Sequence, residues 1–333
     1  MSETILGVTA NIERDLYTRV RTNFNLAFDA DASSPIYNVW RKICFATKTT
    51  GKTDRYPFSL PLNDMEEWTD ERKFEDLEYD DFSLSNTDFE KSIKIHRNEI
   101  EDDALGMAMG RARELGQVAA RHPQIRMTAL INEHMTGTAG TYIVGFDGVT
   151  LFNTAHTWQS GYTTSQDNLR GSATAHQGKM DTTYGLANLQ GAWTTLSSGF
   201  KNHQQRVMTQ VPTVCVVSSS VYFAAAEYLH SRDLAYTTTA TVTTRGTKNI
   251  INRLGIELLH DPNLTTGYWY LAATGDAFGR PVLWQERQGA RLAAQDTNAS
   301  DSVFLRNEYR YGVDTRDAIA PMFWFKIVGG DAT

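Results

Sequence analysis

The segment MEEWTDERKFEDLEYDDFSLSNTDFEKSIKIH, residues 65–96, is followed after three residues by IEDDALGMAMGRARELGQVAARHPQIRMTALINE, residues 100–133. The first reads as extended chain. Leu77 and Tyr79 share one face, and Phe89, Ile93 and Ile95 another, all at the two-residue spacing of a strand. The second reads as helix: Leu105, Met109, Ala112, Leu115 and Ala119 recur at three and four and make one apolar stripe. Asp102 and Asp103 precede that stripe, where carboxylates satisfy free N–H groups and meet the positive end of the macrodipole. From there to Arg121 the rod would be about 30 Å long at 1.5 Å per residue. The spacing of Gly106 and Gly110 suits close packing of backbone on backbone.

Working outward, Tyr56, Phe58, Leu60 and Leu62 alternate, while Pro57 and Pro61 fall on the other phase and assign this strand to an edge. It pairs back with residues 74–84 as a hairpin whose tip is MEEWTDERK. Between Asp64 and Asp103 there are sixteen acidic and five basic residues. An isolated hairpin is marginal in water, and nothing nearby in the chain is basic enough to seat this one, so a neighbouring copy is the natural support. Residues 13–29 read as a helix on Leu16, Val20 and Phe24, and the first fifty residues as an arm that docks on something else.

Later segments are more ordinary. GTYIVGFDGVTLFNTAHTW, residues 140–158, reads as strand and turn, and residues 159–181 as a long polar loop. Leu186, Leu189, Trp193 and Leu196 mark an amphipathic helix, and Val211–Val217 a buried strand. Ser218 or Ser219 is placed to cap the next helix, with Tyr222, Ala225, Ala226 and Leu229 inward. Residues 236–247 form a threonine-rich loop; 254–259 and 268–273 are strands. The C-terminal segment reads as all strand: Val303, Leu305, Tyr309, Tyr311 and Val313 share one phase, and Met322, Trp324 and Val328 another. Such strands suit a place beside Phe89–Ile95 under the rod. The first and last thirds then form one α+β unit with the middle block inserted.

Composition bounds the function. With 333 residues, 41% hydrophobic and 21% charged, the chain has the make-up of a folded protein. No run of eighteen apolar residues predicts a membrane span, and the first residues lack a basic start and apolar stretch for secretion. Cys44 and Cys215 stand alone, which argues against disulfides and zinc and for a reducing cytoplasm. A net charge of −7 argues against a chain whose task is to grip phosphate backbones. Catalytic motifs are missing. Ser218 and Ser219 follow a buried strand but lack the flanking glycines of a nucleophile elbow. The eight histidines are scattered singly, and His156 reads as a turn-stabilising residue rather than a ligand. ThrGlyLysThr at Thr50 has only the tail of a phosphate loop, and the acidic run lacks the glycine-containing loop of a calcium hand. No catalytic, cofactor or metal residue is assigned.

In MEEWTDERKFEDL, IEDDALGMAMGRARELGQVAARHP, GFDGVTLFNTAHTW, LWQERQ and NEYRYGVDTRDAIAPMFWFKI the chain resembles the major head subunit family of Mu-like bacteriophages, a branch of the Hong Kong 97 capsid fold. The resemblance spreads over nearly the whole chain; NTAHTW departs from it, where an acidic residue is expected at Ala155 and a proline at Thr157. It implies an α+β capsid fold. Residues 1–52 would be an N-terminal arm, 53–88 the extended β-hairpin loop, and 89–180 the first part of a peripheral domain with a spine helix over 102–134. Residues 181–280 would be an axial domain, and 281–333 peripheral strands.

The resemblance further implies a major capsid protein that assembles as pentamers and hexamers into an icosahedral head around double-stranded DNA. The extended loop would lie over an adjacent subunit through Glu66, Glu67, Trp68, Asp70, Glu71 and Arg72. A scaffold protein, a portal and a decoration protein would be partners, and assembly would take place in the host cytoplasm before residence in the virion. A covalent lysine–asparagine link through Lys73, known in some relatives of the fold, lacks a matched carboxylate. Rival readings are a nanocompartment shell of the same fold and a cytoplasmic hydrolase using Ser218 or His156.

Overall fold

Leu16, Val20 and Phe24 bury the face of the helix that they predict, and that helix extends over Glu3–Ser33 (α1). The structure is a computed structural model that describes residues 3–59, 65, 67–68, 79–101, 106–158, 164–171, 178–181, 184–202, 205–236, 245–275, 279–297 and 300–331. After α1 come α2 (Trp40–Ile43), β1 (Cys44–Lys48), β2 (Thr53–Ser59), β3 (Tyr79–Ser85), β4 (Thr87–His96) and α3 (Arg97–Glu101). The rod is α4 (Met107–Met135), followed by β5 (Leu169–Arg170), α5 (Gly185–Thr194), β6 (Val214–Val217) and α6 (Tyr222–His230). Then come β7 (Asp233–Tyr236), β8 (Arg245–Lys248), β9 (Glu257–His260) and β10 (Tyr268–Ala272). The chain closes with β11 (Val282–Gln295), α7 (Asp301–Arg306), β12 (Glu308–Pro321) and β13 (Ile327–Asp331).

Two sheets carry the molecule. The first has the order β1-β11-β12-β4, with β12 antiparallel to both neighbours. The C-terminal strand does run beside Phe89–Ile95 under the rod: Thr315 faces Phe89 and Tyr309 faces Ile95. Ile95, Tyr309, Tyr311 and Val313 on one face of this sheet pack against Leu16, Val20 and Phe24 of α1 and Ala112 and Leu115 of α4. Residues 16–44 therefore dock on their own chain. The second sheet has the order β5-β13-β10-β6-β9, with β6 and β10 wholly buried. Met127, Leu130, Ile131 and Met135, from the second half of α4, belong to its core. One helix thus enters both cores. Pro123 falls between its halves, where the missing N–H interrupts the intrahelical ladder.

Several expectations are corrected. Residues 301–306 are helical, so Val303 and Leu305 do not continue the strand of Tyr309; Asn307, with φ of 52°, ends the turn in the left-handed region. Val328 lies in β13, which pairs with β10 and β5 of the second sheet instead of the strands under the rod, and Trp324 sits in a short 3₁₀ turn. Residues 140–158 are turns with one bridge, His156 to Gln166, rather than a strand. The ends of the 236–247 loop are β7 and β8, which pair with each other. Neither Ser218 nor Ser219 caps α6, whose N-cap is Val221. A Cβ added at Gly110 would stand in open space, and Gly106, with φ of 69°, is the N-cap of α4. The close approach is made by Gly116, where an added Cβ would lie 2.4 Å from the carbonyl oxygen of Phe24.

Candidate assembly surface

The arm is rooted by a polar clamp that no local pattern announced. The Tyr56 hydroxyl donates to Gln285 Oε1 at 2.6 Å, and Gln285 Nε2 donates to Asn86 Oδ1 at 2.8 Å. Asn86 Nδ2 donates in turn to the carbonyl of Gly51 at 3.0 Å. Gln285 and Asn86 are buried. Around the clamp, Tyr56 and Phe82 stack at 5.7 Å, and Leu84, Leu283, Ala318 and Ala320 close the apolar base. Burial, with the nearby charge of Asp54, pushes the Tyr56 hydroxyl up to about 12. From this base β2 and β3 pair, among the described residues, only with each other, Thr53 opposite Ser85 through Ser59 opposite Tyr79. The arm is a ribbon with a fixed root.

Of the residues expected at its tip, Glu67 and Trp68 are described. Trp68 is 67% exposed, and neighbouring Met65 is fully exposed. Glu66, Asp70, Glu71, Arg72 and Lys73 lie outside the described residues, as do Asp102 and Asp103 ahead of α4. In the sequence Met65 and Trp68 stand among carboxylates.

Other candidate residues resolve into structural roles. His156 is buried and stacks on Trp324 at 4.6 Å. Its Nδ1 lies 2.6 Å from Asp147 Oδ2 and its Nε2 3.0 Å from Asn168 Oδ1. Asn168 Nδ2 donates to the carbonyls of Leu151 and Trp324, which turns its Oδ1 toward the ring. His156 ties turns together. Ser219 does meet a histidine, with Oγ 2.9 Å from His260 Nε2, but adjacent Asp261 turns its oxygens elsewhere. They accept from Gln124 Nε2 at 2.8 Å, the backbone N–H of Asn263 at 3.0 Å, and Thr128. Gln124 Oε1 also accepts from the backbone N–H of Trp40 at 2.9 Å. Asp261 is therefore a joint between α4, the segment around α2 and the second sheet, and burial raises its carboxyl above the usual range. At the end of α4, Glu133 accepts from the backbone N–H groups of Gly140, Thr141 and Tyr142. Desolvation opposes its charge, yet those three bonds outweigh it and hold the carboxyl below its ordinary value. Among the described residues no group of three His, Cys, Asp or Glu side chains is placed to hold a metal ion, and no helix is long and apolar enough to cross a membrane.

The chain is 25% identical over 117 residues to the major capsid protein of Escherichia phage Mu, covering 35% of this chain and 36% of that one. It is 25% identical over 148 residues to the Mu-like prophage FluMu major head subunit of Haemophilus influenzae, covering 44% and 46%. These matches span between a third and a half of the curated relatives. The capsid structure of cyanophage P-SCSP1u superposes with a TM-score of 0.57 at 8% identity, covering 89% of this chain and 88% of that one, which shows a shared capsid fold of the Hong Kong 97 type. The family model of the Mu-like prophage major head subunit gpT, a structural capsid subunit and not an enzyme, matches residues 14–186 and 260–333, and the chain belongs to that family.

Proposed function

We propose that this chain is a major capsid protein that assembles as pentamers and hexamers into an icosahedral phage head enclosing double-stranded DNA. The observation that carries the reading is the arm: a two-stranded ribbon clamped at its root by Tyr56, Gln285 and Asn86, with exposed Met65 and Trp68 in the chain between its strands. Residues 1–52 act as the N-terminal arm and 53–88 as the extended loop. Residues 89–180 with the strands after 281 form the peripheral domain, and 181–280 the axial domain, to which β13 also contributes a strand. Trp68 seats on an adjacent copy, and Glu66, Glu67, Asp70, Glu71 and Arg72 set its register. Heterologous contacts of this kind close into rings.

A separate scaffold protein, a portal and a decoration protein are the expected partners, with assembly in the host cytoplasm and residence in the virion. The net charge of −7 suits a container whose wall leaves packaged DNA mobile. Co-expression with the scaffold, followed by electron microscopy and measurement of nuclease-protected DNA, tests the reading. Regular DNA-filled shells support it. Shells that retain an enzyme cargo after the scaffold has left, with no protected DNA, would favour a nanocompartment, and a persistent monomer with its scaffold present would overturn it.

A further inference from the structure

Strand β4 lies at the end of its sheet, and its outer side has no strand on it among the described residues. The ladder fixes which backbone groups face that open side. The N–H of Arg97 donates to the carbonyl of Asn307 on the β12 side. By the antiparallel alternation, the N–H and C=O groups of residues 95, 93 and 91 point toward β12. Those of Asp88, Glu90, Ser92 and Lys94 point away from it. Two contacts agree: the Lys94 carbonyl accepts from Arg111 Nη1 at 3.4 Å, and the His96 N–H donates to Glu99 Oε2 at 3.3 Å. The open edge therefore runs from Asp88 to Lys94.

The side chains of these same residues stand on the sheet face turned away from α1 and α4. There Lys94 lies 3.3 Å from Glu308, and Asp88 2.8 Å from Arg316. In order the row reads Asp88, Glu90, Ser92, Lys94, His96. Turned end for end it becomes its own complement. A second β4 laid antiparallel along the edge with Ser92 on the two-fold axis sets Glu90 against the other copy's Lys94 and Asp88 against its His96, on both sides of the axis. The Ser92 pair and each Glu90–Lys94 pair exchange both N–H···O bonds, while the His96 N–H stays with Glu99 Oε2. Neighbouring registers are less favourable, and centring the axis on Ile93 gives up the Glu90–Lys94 pair. Centring the axis on Glu90, Lys91 or Lys94 places two like charges directly opposite each other, which destabilises a pair of strands. An edge protected only by charge needs no such symmetry.

We propose that β4 is an isologous docking edge for a second copy of this chain, joining two four-stranded sheets into one across a two-fold axis at Ser92. The proposal deepens the shell reading and rests on it. Arms that wrap a neighbour build rings, and rings need a self-complementary contact to join one another.

The test is disulfide trapping, read on a non-reducing gel, in assembled particles and in concentrated unassembled protein. Facing residues of such a pair are about 5.5 Å apart between Cα atoms, within disulfide reach, and the native Cys44 and Cys215 are buried. Ser92→Cys should give a dimer band. Glu90→Cys alone should not, because the two copies of residue 90 lie on opposite sides of the axis, whereas Glu90→Cys with Lys94→Cys should. In the Ser92→Cys background, Glu90→Lys should slow trapping roughly tenfold, and Glu90→Lys with Lys94→Glu should restore it. If Ser92→Cys fails to link in both preparations, or Glu90→Cys links equally well, the pairing is wrong. Microscopy of the same samples separates the two readings: shells without the Ser92 link overturn the edge alone, and the link in protein that never forms shells overturns the shell reading alone.

Discussion

Gly116 has no room for a side chain. A Cβ there would sit 2.4 Å from the Phe24 carbonyl oxygen and 3.2 Å from Phe28 N, both backbone atoms of α1 that cannot turn aside. Gly116→Ala should separate the two helices and cost about 1–3 kcal/mol in chemical denaturation, whereas Gly110→Ala, in open space, should be neutral or stabilising. The sequence shows three glycines in one helical pattern, and only the packing of a helix ninety residues upstream selects among them. His134 gives a second prediction. Its Nδ1 accepts from the N–H of Leu151 at 2.9 Å, and burial pulls its imidazolium from 6.5 down to about 4. The unfolded chain takes up a proton that the folded chain refuses, so stability is full above about pH 6.5 and falls as pH drops toward about 4. The loss approaches roughly 3 kcal/mol. His134→Asn, which keeps an acceptor near the Nδ1 position, should flatten melting temperature against pH over that window. An unchanged slope would remove His134 from the account.

Elements were legible where one period ran long and undisturbed. The stripe of Ala112 and Leu115 and the four-residue spacing of Leu16, Val20 and Phe24 each produce the helix they predict, because burial of a continuous face agrees with local propensity. Residues 303–305 mislead because valine, phenylalanine and leucine suit a strand equally well. The turn is decided by Ser300, whose carbonyl accepts from the N–H groups of Val303 and Phe304, and by Asn307. The hairpin strands were readable from their alternation, but the clamp at their root was not, since Gln285 lies 229 residues from Tyr56. Tyr56→Phe should leave the buried Gln285 Oε1 without its donor and cost about 1–3 kcal/mol. Hydrogen exchange should quicken in β2 and β3 and stay unchanged in β10. Equal loosening of β10 would show that the clamp serves the whole fold rather than the arm.

For the whole molecule, the family stretches foretold a capsid fold, while the crossing of the chain between its two sheets was not foretold. β13 enters the second sheet between β5 and β10 because Gly329 and Gly330 permit contact that larger residues forbid. An added Cβ would lie 2.5 Å from Met135 at the first and 2.2 Å from Trp269 at the second. Those partners are far away in sequence. Asp261 joins the same parts from another side, and Asp261→Ala would remove the acceptor that Gln124, Thr128 and the backbone N–H of Asn263 share. It should lower stability by about 3 kcal/mol or more. Because α4 enters both cores, that loss should appear as one shifted unfolding transition; two separated transitions would mean that the sheets unfold independently.

The proposal that the arm tip makes a contact between molecules rests on family resemblance and charge. The most direct measurement is sedimentation with electron microscopy of the protein co-expressed with its scaffold, comparing the native chain with one whose residues 60–78 are replaced by a short Gly-Ser turn. The native chain should form closed shells. The shortened chain should melt at nearly the same temperature as unassembled native protein yet sediment as small species without shells. Closed shells from the shortened chain would contradict the claim that the arm binds one subunit to the next.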